Sequence, residues 1–205
     1  MCEQGLSPAQ TRAFRPTTTA QGDFHGIPDL PGRDFTAERP GTKLVGDITY
    51  IPTWEGFLYL ATVVDCHSKA ALGWARADHY RTEPIKGAFR TAAGTGLIEP
   101  GAVFHSDRGS NYTSDEFGRL LTGLGIRRPA GRTDVCYDNA MAESFFNAIK
   151  NEWFHRFVFA TRAKAKKQVI RYIEGFFNLR RPHSALGYRP PLEVLNESLP
   201  SRPAA

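Results

Sequence analysis

The run Gly56 to Asp65, GFLYLATVVD, constrains the fold more than any other stretch of this chain. It is apolar almost throughout and lies between two short polar segments, Thr53-Trp54-Glu55-Gly56 and Cys66-His67-Ser68-Lys69. A run of this length without polar alternation reads as a central strand covered on both faces. The neighbouring runs Leu44 to Ile51 (LVGDITYI) and Ala70 to Ala75 also read as strands. Links as short as these favour an antiparallel meander. A sheet of this kind needs helices above and below it.

The chain that follows supplies them. The spacing of Ile85, Phe89 and Ala92 predicts a helix from Thr82 to Ala93, with Pro84 in its first turn. A short strand follows at Ala102 to His105. The next helix is expected over Thr113 to Leu124, with a Thr113/Glu116 capping box and an apolar stripe of Phe117, Leu120, Leu121 and Leu124. Ile126 to Arg128 reads as a short fifth strand. Val135 to Trp153 reads as a loop running into a helix, with Asp138 and Asn139 as candidate N-caps. Further helices are expected at Thr161 to Asn178 and Pro191 to Asn196. The fold class is therefore α/β: a mixed five-stranded sheet flanked by helices, with a C-terminal helical and basic extension. Its element order is that of the ribonuclease-H-like fold. Residues 1–39 read as an extended arm or linker, 40–199 as the folded unit and 200–205 as a tail.

The net charge of +5 and pI near 9.2 suit an anionic partner such as nucleic acid, although an excess of this size is weak by itself. Cys2, Cys66 and Cys136 are far apart and odd in number, which supports neither a zinc site nor a disulfide framework. A reducing cytoplasm is the simplest compartment, and no segment reads as a membrane span.

Three acids stand where a site could be built. At roughly 100° per residue, Ala142, Phe145, Phe146, Ile149 and Trp153 form one apolar side of a helix. Glu143, Asn147 and Lys150 share a narrow polar stripe on another; a solvated face is the plain alternative. Asp47 lies mid-strand, where a charge needs a partner. Asp107 lies just past the fourth strand, at the kind of strand end where open α/β sheets bind ligands. Three carboxylates repel one another unless hard divalent cations lie between them, and such ions favour oxygen ligands and phosphate chemistry.

From about Pro40 to Pro200 the chain resembles the catalytic region of insertion-sequence transposases of the IS-three type, within the retroviral-integrase-like DDE superfamily. The motifs that carry the resemblance are GDITYIPT (46–53), VVDCHSKAALGW (63–74), FHSDRGSNYTS (104–114), CYDNAMAESFFNAIKNE (136–152) and NLRRPHSALGYRPP (178–191). Asp107 and Glu143 leave 35 residues between them, the family's spacing, and Lys150 stands seven residues after Glu143. The resemblance implies that Asp47, Asp107 and Glu143 bind two Mg²⁺ ions, with Mn²⁺ able to substitute. It implies that Lys150 and Asn147 approach double-stranded DNA at the element's terminal inverted repeats. Arg108 and Asn111 beside Asp107, and Arg180 and Arg181 in the tail, are further candidate DNA contacts. For Arg180, Arg181 and His183 a role in closing the domain stands equally. The activity implied is metal-dependent nicking at element ends, then strand transfer into target DNA by a nucleoid-associated homo-oligomer.

The chain departs from the family pattern in three places. Leu44 stands where Trp is common. The loop before Cys136 reads Gly131-Arg132-Thr133-Asp134-Val135, with Asp134 in place of a flexible Gly. Residues 1–40 are too short and irregular for the helix-turn-helix segment of the family, so the chain reads as N-terminally truncated or dependent on a separately encoded DNA-binding partner. A non-catalytic DNA-binding or subunit-trapping remnant is the rival reading, and a ribonuclease H proper is a second.

Overall fold

The computed structural model describes residues 36–106, 112, 114–127 and 140–199. Three strands open it: β1 (Lys43–Thr53), β2 (Gly56–Asp65) and β3 (Ala71–Ala77). The second has the bounds of the apolar run. β1 and β2 pair antiparallel from Leu44↔Asp65 to Thr53↔Gly56, and β3 pairs antiparallel with β2. The chain continues through α1 (Thr82–Gly94) into β4 (Val103–His105), which lies parallel to β1. Four helices follow: α2 (Asp115–Gly123), α3 (Ala140–Glu152), α4 (Arg162–Tyr172) and α5 (Pro191–Ser198). The sheet order is β3-β2-β1-β4.

The expected five-stranded sheet is corrected to four strands among the described residues. Where the fifth was expected, only Arg127 bridges Val103, with Phe104 N donating to Arg127 O at 2.9 Å and Arg127 N donating to Ala102 O at 2.7 Å. Gly125, at φ 68°, turns the chain just beforehand, and the Arg127 side chain folds back to donate to Gly101 O at 3.0 Å. Among the described residues this contact is a single bridge; Arg128, the last residue of the expected strand, lies outside them. The cap of α2 also moves by one residue. Ser114 is the N-cap, its Oγ accepting from Phe117 N at 3.3 Å, while Thr113 lies outside the described residues. The candidate caps Asp138 and Asn139 lie outside them too.

The two sheet faces are covered separately. Leu44, Ala61 and Val63 pack with Ile85 and Phe89 of α1 and Phe117 and Leu121 of α2. On the other face Val45, Ile51, Leu58, Leu60 and Val64 pack with Phe145, Phe146 and Ile149 of α3 and Val169 of α4. β2 is thus buried on both sides, as its composition requires. Gly73 allows α1 to lie directly on β3: a Cβ there would stand 2.2 Å from Ala88 O.

The C-terminal segment locks onto this frame. α4 runs into a single π turn at Ile173–Phe177, and the wider turn shifts the phase of the side chains. Just beyond it, Asn178 docks on β3, its Oδ1 accepting from Ala71 N at 3.0 Å and its Nδ2 donating to Ala71 O at 3.1 Å. The His67 ring contacts Ala37 O at 2.7 Å and Ser198 Oγ at 3.0 Å. At the end of β2, the fully buried Asp65 carboxylate accepts from Gly41 N (2.9 Å), Ser68 N (2.8 Å) and Ser68 Oγ (2.7 Å). These bonds fix both the entry to β1 and the β2–β3 turn. Asp65→Ala strands the donors in the interior and is expected to cost about 3 kcal/mol. A lower urea midpoint at unchanged slope would display that loss, and an unaltered midpoint would contradict it.

Candidate active site

Asp47 sits in the middle of β1 on the face that α3 and α4 cover, in alternation with Val45 and Ile51. Gly46, just before it, is required by close approach: a Cβ there would stand 2.8 Å from the Phe104 ring and 2.9 Å from Thr62 O. β4 pairs only with Lys43 to Val45, so at Asp47 the strand has passed the end of β4. The half-buried Asp47 carboxylate accepts from Ile48 N at 2.7 Å through Oδ1. Directly across on β2 stands Thr62, buried, with an Oγ1 that has no hydrogen-bond partner among the described residues.

Glu143 is exposed in the first turn of α3, where the helix dipole favours negative charge. Buried Ala142 and Phe146 flank it and hold the helix to the sheet. Asn147 is exposed one turn on, and Lys150 is half-buried another turn on. The Lys150 Nζ lies 5.5 Å from the centroid of the Tyr50 ring. Burial pushes its ammonium below the usual 10.5, while the nearby Asp47 carboxylate opposes that shift. The structure therefore brings Lys150 to Asp47 and sets Glu143 on the same stripe of α3. Two carboxylates supply the hard oxygen donors that Mg²⁺ and Mn²⁺ prefer, so this donor set fits such an ion. Among the described residues no group of three or more carboxylate, imidazole or thiol side chains is close enough to hold a metal. Asp107, Arg108 and Asn111 lie outside the described residues; β4 ends at His105, two positions before Asp107.

The tail residues fall into two groups. Arg181 clamps Glu152 at the end of α3: Nε reaches Oε1 at 3.0 Å and Oε2 at 2.8 Å, and Nη2 reaches Oε1 at 2.5 Å. Burial alone would raise the Glu152 carboxyl, but the Arg181 hydrogen bonds and charge outweigh it and hold it low. Tyr172 Oη also donates to Glu152 Oε2, at 3.1 Å. His183 stands edge-on to Phe177, with ring centroids 4.9 Å apart. Arg180 is exposed beside Arg171. Lys164, Lys167 and Arg171 lie on the exposed side of α4. His105 lies beside Val45, its imidazole lowered by burial and by the Lys43 charge.

Sequence reasoning missed three things here: the orphaned Thr62 hydroxyl, the seat of Lys150 on Tyr50, and the docking of Asn178 on β3. A threonine within an otherwise apolar strand was the available signal for the first. The other two depend on tertiary contact alone.

Comparison with known proteins fits this arrangement. The integrase core domain family matches twice, over residues 37–136 and 124–191. One chain of the simian T-cell lymphotropic virus intasome, in complex with the PP2A regulatory subunit B56 gamma, superposes with a TM-score of 0.60 at 18% identity, over 83% of this chain and 60% of that one. The HTLV-2 integrase catalytic core domain in complex with magnesium, in its dimeric form, superposes at 0.56 and 17% identity, over 77% of this chain and 98% of that one. The fold is that of an integrase catalytic core, ribonuclease-H-like in class. The transposase for insertion sequence element IS904 of Lactococcus lactis subsp. lactis is 38% identical over 164 residues, 80% of this chain and 65% of that protein. The transposase InsF for insertion sequence IS3A of Escherichia coli is 35% identical over 199 residues, 96% of this chain and 68% of that protein. The chain belongs to this family of insertion-sequence transposases, and it spans about two thirds of the length of these two relatives.

Two stability predictions come from the tail. Arg181→Ala leaves Glu152 half-buried with only Tyr172 and is expected to cost about 2 kcal/mol, whereas the exposed Arg180→Ala stays within about 0.5 kcal/mol. Chemical denaturation of the two variants separates them. His183 is pushed down from 6.5 to about 4 by burial and by the Arg181 charge. The folded state keeps it neutral through that window while the unfolded chain takes up its proton, so stability falls as pH drops from 6.5 towards 4. His183→Gln should flatten that part of the stability–pH curve, and a curve of unchanged slope would remove His183 as its source.

Proposed function

We propose that this chain is the catalytic domain of a DNA transposase, carrying out metal-dependent cleavage at transposon ends and strand transfer into target DNA. The catalytic unit is residues 40–199. The observation that carries this reading is the position of Asp47, at the point where β1 runs past β4, with the Lys150 ammonium in reach and Glu143 on the same stripe of α3. Asp107 follows the last residue of β4 by two positions and leaves 35 residues before Glu143, and this spacing supports it as the third carboxylate.

In this reading Asp47, Asp107 and Glu143 hold two Mg²⁺ ions, for which Mn²⁺ substitutes. When bound, the ions activate a water or a 3′-hydroxyl and stabilise the leaving 3′-oxygen. The Ile48 amide fixes Asp47 against its own strand, and the apolar side of α3 fixes Glu143. Lys150 offsets backbone phosphate charge, and Asn147 donates to the same strand. Arg108 and Asn111, beside Asp107, touch DNA near the scissile bond. Arg180 serves as an exposed contact of the tail, and Arg181 stands nearby but spends its fork on Glu152. The substrate is double-stranded DNA, the terminal repeats and a target. The working form is a homo-oligomer on DNA, aided by a separately encoded helix-turn-helix partner. The reaction needs no covalent protein–DNA intermediate, so the site needs no nucleophilic Ser or Tyr.

Glu143→Gln and Asp47→Asn are each expected to lower nicking and strand transfer on terminal-repeat DNA, in Mg²⁺ or Mn²⁺, by more than about a hundredfold. They should also blunt the rise in melting temperature that Mn²⁺ gives the wild type. Equal activity of wild type and Glu143→Gln would sink the catalytic assignment. DNA binding by the wild type without nicking, with the partner supplied, would favour the non-catalytic remnant. Lys150→Ala should weaken DNA binding and make its logarithmic salt dependence shallower by about one unit. An unchanged slope would take Lys150 out of the DNA contacts.

A further inference from the structure

We propose that an exposed row of aromatic rings beside the candidate active site is a stacking platform for unpaired bases of a DNA strand; this rests on the reading of the chain as a DNA-processing enzyme. The row consists of Tyr50, Phe57, Tyr59 and Tyr80. Tyr50 and Tyr59 are direct partners across β1 and β2. The Phe57 ring lies 4.8 Å from Tyr50 and 6.3 Å from Tyr59, and Tyr80, just beyond β3, lies 5.7 Å from Tyr59. Further along this face of β2, Ala61 and Val63 are buried under α1, but here the cover ends. Tyr50 is 53% exposed, and Phe57 and Tyr80 are each 48% exposed. A monomer rarely leaves large rings open in such a continuous row without a use for them.

The geometry selects the partner. The rings meet at 53°, 72° and 49°, so none lies flat on its neighbour and ring faces are left open. A duplex offers its bases only edge-on in the grooves. Flat ring faces engage bases that have left the stack, and they do so with little regard to sequence. Frayed duplex ends, or a strand peeled back beside a nick, supply such bases. The row is linked to the site across the edge of β1. Tyr50 is three residues from Asp47, so its ring stands on the α1 face while the carboxylate stands on the α3 face. Lys150 reaches both, with its Nζ over the Tyr50 ring and its charge felt by Asp47. At the same end Arg162 Nε donates to the backbone O of Phe57, the ring next to Tyr50, at 3.2 Å, placing a second cation beside the row. Bases on the rings with phosphates towards Lys150 and Arg162 would complement both components.

The platform is built to hold its shape. Trp54 N donates to Phe159 O at 3.1 Å, and Glu55 Oε2 accepts from Arg162 N at 2.8 Å. The β1–β2 turn is thereby tied to the start of α4, so little ordering is left for a ligand to induce.

The test compares binding of the full chain, without divalent metal, to a labelled blunt duplex and to the same duplex with a single-stranded thymidine tail. The tail is expected to tighten wild-type binding roughly tenfold. Phe57→Ala and Tyr80→Ala should each lose most of that gain while binding the blunt duplex as before, and Phe57→Trp should restore it. Light-induced crosslinking of a tail carrying 5-iododeoxyuridine to the wild-type chain should map to Tyr50, Phe57, Tyr59 or Tyr80, and this readout does not depend on any variant folding. Equal wild-type affinity for tailed and blunt DNA, or crosslinks elsewhere, would overturn the platform. A variant effect confined to self-association would overturn it in favour of a contact between copies. If blunt binding and Glu143-dependent nicking persist, the platform alone has failed; binding to neither DNA would remove it together with the proposed function.

Discussion

The brevity of β4 is the constraint on which the site depends. It pairs with β1 at three positions only, Lys43 to Val45, while β1 runs on to Thr53. Below that point β1 is an interior strand, with Leu44 and Val45 fully buried on opposite faces. Above it, among the described residues, β1 has a partner on one side alone, and the character of its residues changes at once. A carboxylate at 47 would be costly in a strand enclosed on both sides. Here it is only half-buried and has a lysine within electrostatic reach. The same opening lets Lys150 extend past the strand to Tyr50. Gly46 marks the boundary: its missing side chain lets the Phe104 ring of β4 close the core immediately below the acid.

How much of this was legible in the sequence follows from what each feature rests on. β2 was readable to its end residues because its signal is local: an apolar run with polar turns at both ends. α1 and α3 were readable from the spacing of their buried residues. The fifth strand was not, because three residues carry too little pattern to show whether a ladder forms; among the described residues Arg127 makes one bridge and its side chain bonds back to Gly101. The cap of α2 fell on Ser114 although Thr113 fits the same motif. Adjacent hydroxyl residues compete for such a role, and only the position of the first turn decides between them.

The site was legible in a different way. Asp47 and Glu143 are nearly a hundred residues apart, and no periodicity links them; their pairing came from family motifs. What the structure adds is physical. α3 packs its apolar side on the face of the sheet that carries Asp47, so Lys150 at the end of its polar stripe comes within electrostatic reach of that acid, while Glu143 and Asn147 stay exposed. The motif NLRRPHSALGY held two readings, DNA contact and closure of the domain, and the contacts of Asn178 and Arg181 support the second. Asn178 and Arg181 tie the tail to β3 and α3, while Arg180 remains outside. A conspicuously basic motif therefore contains residues whose first work is mechanical.

His67 adds a consequence for how the unit is connected. One imidazole, in the turn between β2 and β3, reaches the backbone ahead of β1 and the last turn of α5. The entrance and the exit of the folded unit thus converge on a single side chain. Any sequence joined ahead of Ala37 and any joined behind Ser198 share one point of attachment, like two cords knotted to the same ring.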